Sequence, residues 1–379
     1  LSIHTQEELM EKRNLGHTGI ESTILGFGSM RMPTVGEGDN KVLDEEKAIE
    51  LIRGAIDRGI SYVDTAWGYH NEKSEVAVGK ALLDGYRNKV TLVTKSPVWK
   101  IEKREDFRTL LHEQLRRLQT DHLDIYLLHA LSKERWELVK EHGILEELQK
   151  VKDAGIVKAV GFSFHDDEDV FYEILNGFDG WDVVQLQMNY VDTDYQSTWQ
   201  GLVDAYEKGL GVIIMEPLRG GKLVNLPEWV SKELPGDQLS SAFNWLYDKK
   251  EVSVVLSGMN NLEQVEENIE VAKKAQEGML TEEDNEKYKK AKEVFDTMSK
   301  IPCTQCEYCL PCAVGIDIPR VLESYNKIHS RSESAGREQY EKCDVKALDC
   351  ISCRLCEDRC PQFIRISEWM KEISATFDK

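Results

Sequence analysis

Four polar residues stand where apolar runs of this sequence end: Asp64 in ISYVDTA, Lys95 in VTLVTK, His129 in LDIYLLHA, and Tyr69 five residues beyond Asp64. Their types fit the reduction of a carbonyl. Such a reaction needs a proton donor beside the developing alkoxide, and a tyrosine with a pKa near ~10 serves at neutral pH only if a cation stabilises its phenolate. Lys95 can be that cation, Asp64 can supply the counter-charge a buried lysine needs, and His129 can orient the substrate oxygen by a hydrogen bond. Each has a bland reading alone: a solvated strand tip, a turn cap, a core histidine. Together, in neighbouring segments and an otherwise apolar setting, the catalytic reading is the stronger.

A second set is made of cysteine. The chain has nine, and all nine fall between Cys303 and Cys360. Cys303, Cys306, Cys309 and Cys312 form one run; Cys350, Cys353, Cys356 and Cys360, followed by Pro361, form another with ferredoxin-type spacing. In that spacing three thiolates wrap one [4Fe-4S] cube while the fourth ligates the neighbouring cube. The expected sets are therefore crossed: Cys303, Cys306, Cys309 and Cys360 on one cluster, and Cys350, Cys353, Cys356 and Cys312 on the other. Cys343 is left over as a buried thiol. The first run has only two residues before its fourth cysteine, which departs from the pattern at Cys312. Zinc is the competing reading, since paired C-x2-C motifs also bind it.

The elements that must carry these residues alternate. From about residue 23 to 275, β-branched apolar runs recur with helical segments between them, one βα unit per ~30 residues. Eight strands are expected near 23, 60, 90, 123, 157, 183, 211 and 252. Eight units favour an α/β fold closed into a (β/α)8 TIM barrel, with its active site at the C-terminal ends of the strands. The first strand runs into GFGSMRMP, not the glycine pattern of an open dinucleotide-binding sheet. Residues 262–300 read as a charged helical bridge. In the tail, Ile318, Val321, Leu322, Tyr325 and Ile328 recur at helical spacing around Pro319, so the tail is expected to be a small helical domain. The expected division is 1–13 an N-terminal extension, 14–275 the barrel, 276–300 a helical linker and 301–379 the cysteine domain.

DTAWGYHNEKSEVAVGKAL, VTLVTKS, LDIYLLHA, VGFSFH and GVIIMEPLRGG resemble the aldo-keto reductases in unbroken order from about Asn14 to Ala275. The resemblance implies a barrel binding NADP(H) or NAD(H), with catalysis by Asp64, Tyr69, Lys95 and His129, none of them substituted. It places the cofactor against Gly28, Ser29, Met30, Asp64, Ser163, Gln185, Met215, Pro217, Leu218, Gly258, Gln264, Glu267 and Asn268. Two departures stand out: Phe164 replaces the family's Asn after Ser163, and Met215 replaces an aromatic platform. Basic residues that meet a 2′-phosphate in many members are Gly258 and Gln264 here, with Arg219 or Lys222 as candidate substitutes. Trp67, Trp99 and Phe164 are expected pocket walls. The tail, with AVGIDIPRVLESYN, resembles helical dicluster ferredoxin domains and implies two [4Fe-4S] clusters.

Charge and composition narrow the rest. The 379 residues carry a net charge of −20, which repels nucleic-acid phosphates and anionic lipid. No run is long enough to span a bilayer. Cysteines gathered at one end and an N-terminus without a signal-peptide pattern point to a reducing, cytoplasmic setting. The expectation is an NAD(P)-dependent oxidoreductase acting on a small carbonyl or alcohol, its clusters transferring electrons to or from a redox partner protein, with no nucleic-acid or membrane partner. The rival is a non-catalytic nicotinamide-binding redox sensor or electron-transfer protein.

Overall fold

The computed structural model describes residues 9–36 and 41–378. The first eight residues of the expected N-terminal extension lie outside them. The strands in chain order are β1 (Lys12–Asn14), β2 (Glu21–Thr23), β3 (Leu25–Gly28), β4 (Thr34–Val35), β5 (Val42–Leu43), β6 (Tyr62–Asp64), β7 (Thr91–Ser96), β8 (Leu123–Leu131), β9 (Val157–Phe164), β10 (Val183–Gln187), β11 (Gly211–Met215) and β12 (Val254–Ser257). The helices are α1 (Glu45–Asp57), α2 (Ser74–Ala81), α3 (Arg104–Leu118), α4 (Lys133–Glu141), α5 (Ile144–Asp153), α6 (Glu168–Asn176), α7 (Thr198–Glu207), α8 (Glu228–Ser231), α9 (Gln238–Tyr247), α10 (Leu262–Ala272), α11 (Glu282–Met298), α12 (Ile318–Ser330), α13 (Glu333–Glu341) and α14 (Ile366–Phe377).

Eight strands close into a barrel in the order β10-β11-β12-β3-β6-β7-β8-β9, every neighbouring pair parallel. All eight are the runs read from the sequence. Two antiparallel hairpins, β1-β2 and β4-β5, were not expected. The first brings Lys12 and Arg13 into a sheet, so the expected extension is partly structured, and it delivers Leu15 into the apolar barrel interior.

Inside the barrel, Tyr62, Val93, Ile125, Leu127, Ala159, Val183, Ile213, Val254 and Leu256 form one cluster with Leu15. Close approach of two strands dictates one residue: a Cβ on Gly161 would lie 2.0 Å from the Val183 carbonyl oxygen. Among the outer helices, α1 is both capped and amphipathic. The α1 N-cap is Asp44, which accepts from the Lys47 amide, and Ala48, Leu51, Ile52, Ala55 and Ile56 make its buried stripe.

The chain divides into two compact units. One contains the described residues up to Pro217 and Phe243–Leu280; the other is Leu218–Ala242 with Thr281–Lys379. The division is not the continuous one expected. The segment after β11 leaves the barrel unit, and the expected bridge is two helices, α10 in the first unit and α11 in the second, separated by a turn with Gly278 at φ +68°. The second unit has its own core of Ile316, Ile318, Val321, Leu322, Ile364, Ile366, Met370 and Ile373. Among its described residues from 301 onward there is no strand, as the helical reading requires. Its α12 is capped by Asp317, which accepts from the Arg320 amide, with Pro319 in the first turn. No helix among the described residues is long and apolar enough to cross a membrane.

Candidate functional site

Strand side chains alternate between faces, so each barrel strand can be followed inward residue by residue toward its C-terminal end. On that face Tyr62 is followed by Asp64, Val93 by Lys95, Leu127 by His129, Ala159 by Gly161 and Ser163, and Val183 by Gln185. The interior thus changes from apolar to polar over one step of the pleat, at the rim where barrel sites form.

At that rim Lys95 Nζ donates to Asp64 Oδ1 at 2.6 Å and to the Thr65 carbonyl at 2.9 Å, and lies 3.5 Å from the Tyr69 hydroxyl. The ion-pair side chains are 1% and 3% exposed, so neither partner has water to fall back on. Burial pushes Lys95 below the usual lysine value and Asp64 above the usual carboxylate value; each charge holds the other against that push. His129 packs edge-on to Tyr69 with ring centres 6.0 Å apart, and its Nδ1 is buried without a hydrogen-bond partner. Burial, and then the positive charges of Lys95 and Arg135, push its pKa well below the usual histidine value, so the ring is neutral. The register of β8 against β9 shifts between Leu128 and Leu131, and Ala130 has φ +52°. This irregularity falls at His129, as β-bulges often do where a side chain is re-aimed. The four residues singled out in the sequence therefore meet.

The expected cofactor residues form three groups. Gly28 and Asp64 are opposite each other at the ends of β3 and β6, and Ser29, next to Gly28, is tied to Ser74 at 2.9 Å. Met30 follows in the same short turn. Ser163 is paired in register with Gln185, whose Nε2 is 3.8 Å from Met215 Sδ and whose Oε1 is buried without a partner. Ser163 Oγ accepts from the Ala130 amide at 2.7 Å. At the end of β12, Asn268 donates to Ser257 Oγ at 2.7 Å, Gln264 accepts from the Asn260 amide at 3.0 Å, and Glu267 is exposed. Pro217 ends the first segment of the barrel unit, whereas Leu218 accepts from the Gly221 and Leu223 amides within the second unit. Arg219 and Lys222 are also engaged there, Arg219 over the Phe295 ring and Lys222 on Glu323 at 3.0 Å.

Of the expected pocket walls, Trp99 is 5.2 Å from the His129 ring, and Trp67 lies under the Arg117 guanidinium at 3.7 Å. Phe164 is not a wall. It is fully buried against Phe171 of α6, because the residue after inward-facing Ser163 must face the helix layer.

Sequence reasoning missed several neighbours. Glu75, fully buried on α2, accepts from Thr94 Oγ1 and Gln114 Nε2, both at 2.6 Å, and Gln114 also donates to the Lys95 carbonyl at 2.9 Å. Its signal was a carboxylate on the apolar face of EVAVGKAL. Arg31 packs its side chain against Gly258, and Arg135 donates to the Ala130 carbonyl at 2.7 Å; both read as ordinary surface cations in sequence.

In the second unit all nine cysteines are free thiols. Among the described residues no three His, Cys, Asp or Glu side chains converge as a metal-ion site. The two runs share a backbone pattern. Gln305 and Glu307 flank Cys306 with φ +55° and +65°, and Ser352 and Arg354 flank Cys353 with φ +55° and +62°. Such turns gather N–H groups into a concavity suited to an anionic cluster, and the Gln305 amide already donates to Cys303 Sγ at 3.4 Å. These features fit iron–sulfur ligation. Cys343, 4% exposed, lies in the apolar core of the unit.

Comparison with known proteins agrees with this geometry. Residues 24–293 match the aldo/keto reductase family and residues 302–365 a 4Fe-4S dicluster domain. L-galactose dehydrogenase of Arabidopsis thaliana is 30% identical over 286 residues, covering 69% of this chain and 87% of the relative. Aldo-keto reductase YhdN of Bacillus subtilis is 36% identical over 164 residues, 41% of this chain, and the chain spans about half (47%) of the length of that relative. The holo form of an aldo-keto reductase from Bacillus halodurans superposes with a TM-score of 0.62 at 26% identity, over 74% of this chain and 96% of that one. The closed barrel, its polar rim and these matches agree: the chain belongs to the aldo/keto reductase family and carries a 4Fe-4S dicluster domain.

Proposed function

We propose that the barrel unit is an NAD(P)-dependent oxidoreductase that interconverts a small carbonyl compound and its alcohol. The observation that carries this reading is the buried triplet of Asp64, Lys95 and Tyr69, with the Lys95 ammonium 2.6 Å from a carboxylate and 3.5 Å from a phenol. When bound, the nicotinamide supplies or accepts the hydride. The residues that would hold it are Ser163 and Gln185 at the ring and Asn268 and Gln264 at the adenosine end; the unpartnered Gln185 Oε1 is an acceptor suited to a carboxamide N–H.

The chain's own residues handle the proton. Tyr69 gives its hydroxyl proton to the substrate oxygen as negative charge develops there, and Lys95 stabilises the phenolate left behind. Asp64 and the Thr65 carbonyl hold Lys95 in place, two of the contacts an ammonium can make. His129, neutral, donates a hydrogen bond to the same oxygen without competing for the proton. Tyr69→Phe is expected to bind the cofactor normally, read by nicotinamide fluorescence, and to lose ~100-fold or more in turnover. Wild-type turnover in that variant would overturn the assignment.

The second unit, in the same proposal, binds two [4Fe-4S] clusters on the crossed cysteine sets and exchanges single electrons with a redox partner protein. The repeated left-handed turns around Cys306 and Cys353 support two sites of one kind.

A further inference from the structure

The junction of β8 and α4 holds a cation that enters the proton chemistry above only through its charge on His129. Arg135 lies in the first turn of α4, whose N-cap is Ser132. Its guanidinium donates to the Ala130 carbonyl at 2.7 Å and stands 5.2 Å from the centre of the Trp99 ring. The Trp99 ring is in turn 5.2 Å from the His129 ring, so the guanidinium is within about 10 Å of the imidazole that addresses the substrate oxygen. His165, bonded to Gln196 at 3.2 Å, feels the same charge. Burial and Arg135 hold its pKa at about 4, so it adds no positive charge at neutral pH. Trp99 is 43% exposed and offers an apolar flank between Arg135 and His129.

From this arrangement we propose that the substrate is a carbonyl compound that also bears a carboxylate, with Arg135 as the residue that selects it. The inference rests on the carbonyl-reductase reading and names the substrate class of that site. A planar guanidinium with five N–H donors matches a carboxylate, and beside a low-polarity wall the pairing is stronger than in water. The reacting carbonyl is placed at His129 and Tyr69, the linking carbons lie along Trp99, and the carboxylate meets Arg135. The Ala130 contact gives Arg135 a second connection to the site, because it touches the residue after His129. A test must therefore separate charge recognition from mispositioning of His129.

A matched pair of aldehydes does so: 4-carboxybenzaldehyde and its neutral analogue methyl 4-formylbenzoate, assayed with the full-length protein. Wild type is expected to favour the acid at least ~10-fold in kcat/KM, as a charged hydrogen bond to a ligand would give. Arg135→Gln is expected to lower the acid-to-ester ratio of kcat/KM ~10- to 100-fold, any fall that acts through His129 being common to both substrates, and Arg135→Lys to fall between. Equal activity on acid and ester in wild type, or a parallel fall on both in Arg135→Gln, would overturn the inference while leaving the reductase reading intact. If wild type reduces neither aldehyde, the reductase reading fails, and calorimetry with benzoate decides the inference separately. Benzoate binding that Arg135→Gln abolishes supports it, and binding that is absent or unchanged overturns it.

Discussion

Asp64→Asn removes the charge that Lys95 faces and keeps the shape of the side chain. At 2.6 Å, two unit charges in a medium of effective dielectric ~20 attract by roughly 6 kcal/mol before desolvation is counted. Removing one partner of such a buried pair typically costs about 3–5 kcal/mol, because an uncompensated charge remains. There is also a ceiling. Lys95 can shed its proton, and from a usual value of 10.5 doing so at pH 7 costs about 5 kcal/mol, so the loss of stability should not exceed that. Lys95→Met leaves Asp64 exposed to the same argument, whereas the double variant removes both charges. Urea denaturation of the two single variants and the double should therefore show each single variant destabilised by about 3–5 kcal/mol and the double well short of their sum. Turnover adds a sign. Burial already lowers Lys95 and Asp64 opposes that shift, so Asp64→Asn lowers it further; the cation beside Tyr69 is then present only below the new pKa, and residual activity should rise as pH falls. Additive single effects, or residual activity that rises toward alkaline pH, would refute the ion pair as the support of the phenol.

Two other outcomes follow from the second unit and from the outer helices. Anaerobically prepared protein should contain about eight irons and eight sulfides per chain; Cys303→Ser combined with Cys360→Ser should keep about half, and Cys350→Ser combined with Cys360→Ser almost none. Zinc without sulfide, or equal losses in both pairs, would contradict the crossed assignment. Glu147 is held at a pKa of about 2 by hydrogen bonds from Lys150, Arg108 and Arg104, below its usual 4.5. It should contribute stability above about pH 4.5 that is lost as pH falls toward about 2. The decline in stability between pH 5 and 3 should be shallower in Glu147→Gln, and an unchanged slope would count against the cluster.

The eight barrel strands were legible because each is buried on both faces over most of its length and so reads as a mainly apolar run. The same contrast exposed Asp64, Lys95 and His129, each a polar residue that ends or interrupts such a run. The hairpin β1-β2 was not legible, since KRN and EST are three polar or half-polar residues each and their pairing is set by the partner strand. Arg135 and Glu75 were hidden for a different reason. On a helix a charged residue is the ordinary case, and only the tertiary contacts with Ala130, Thr94 and Gln114 distinguish these two. Phe164 is no pocket wall because strand alternation turns the residue after inward-facing Ser163 toward the helix layer.

The second unit is assembled from two separate stretches of chain, Leu218–Ala242 and Thr281–Lys379. They interlock at named points: Lys222 with Glu323, Lys290 with Glu233, the Tyr288 hydroxyl with the Ser241 carbonyl, and the Gly220 backbone so close to Thr304 that a Cβ would meet its carbonyl oxygen at 2.0 Å. The cysteine domain is consequently not a detachable appendix. Cutting the chain after the barrel would strand a 25-residue loop whose contacts lie beyond the cut. Removing this tail by design would therefore require the seventh βα connection to be rebuilt with it.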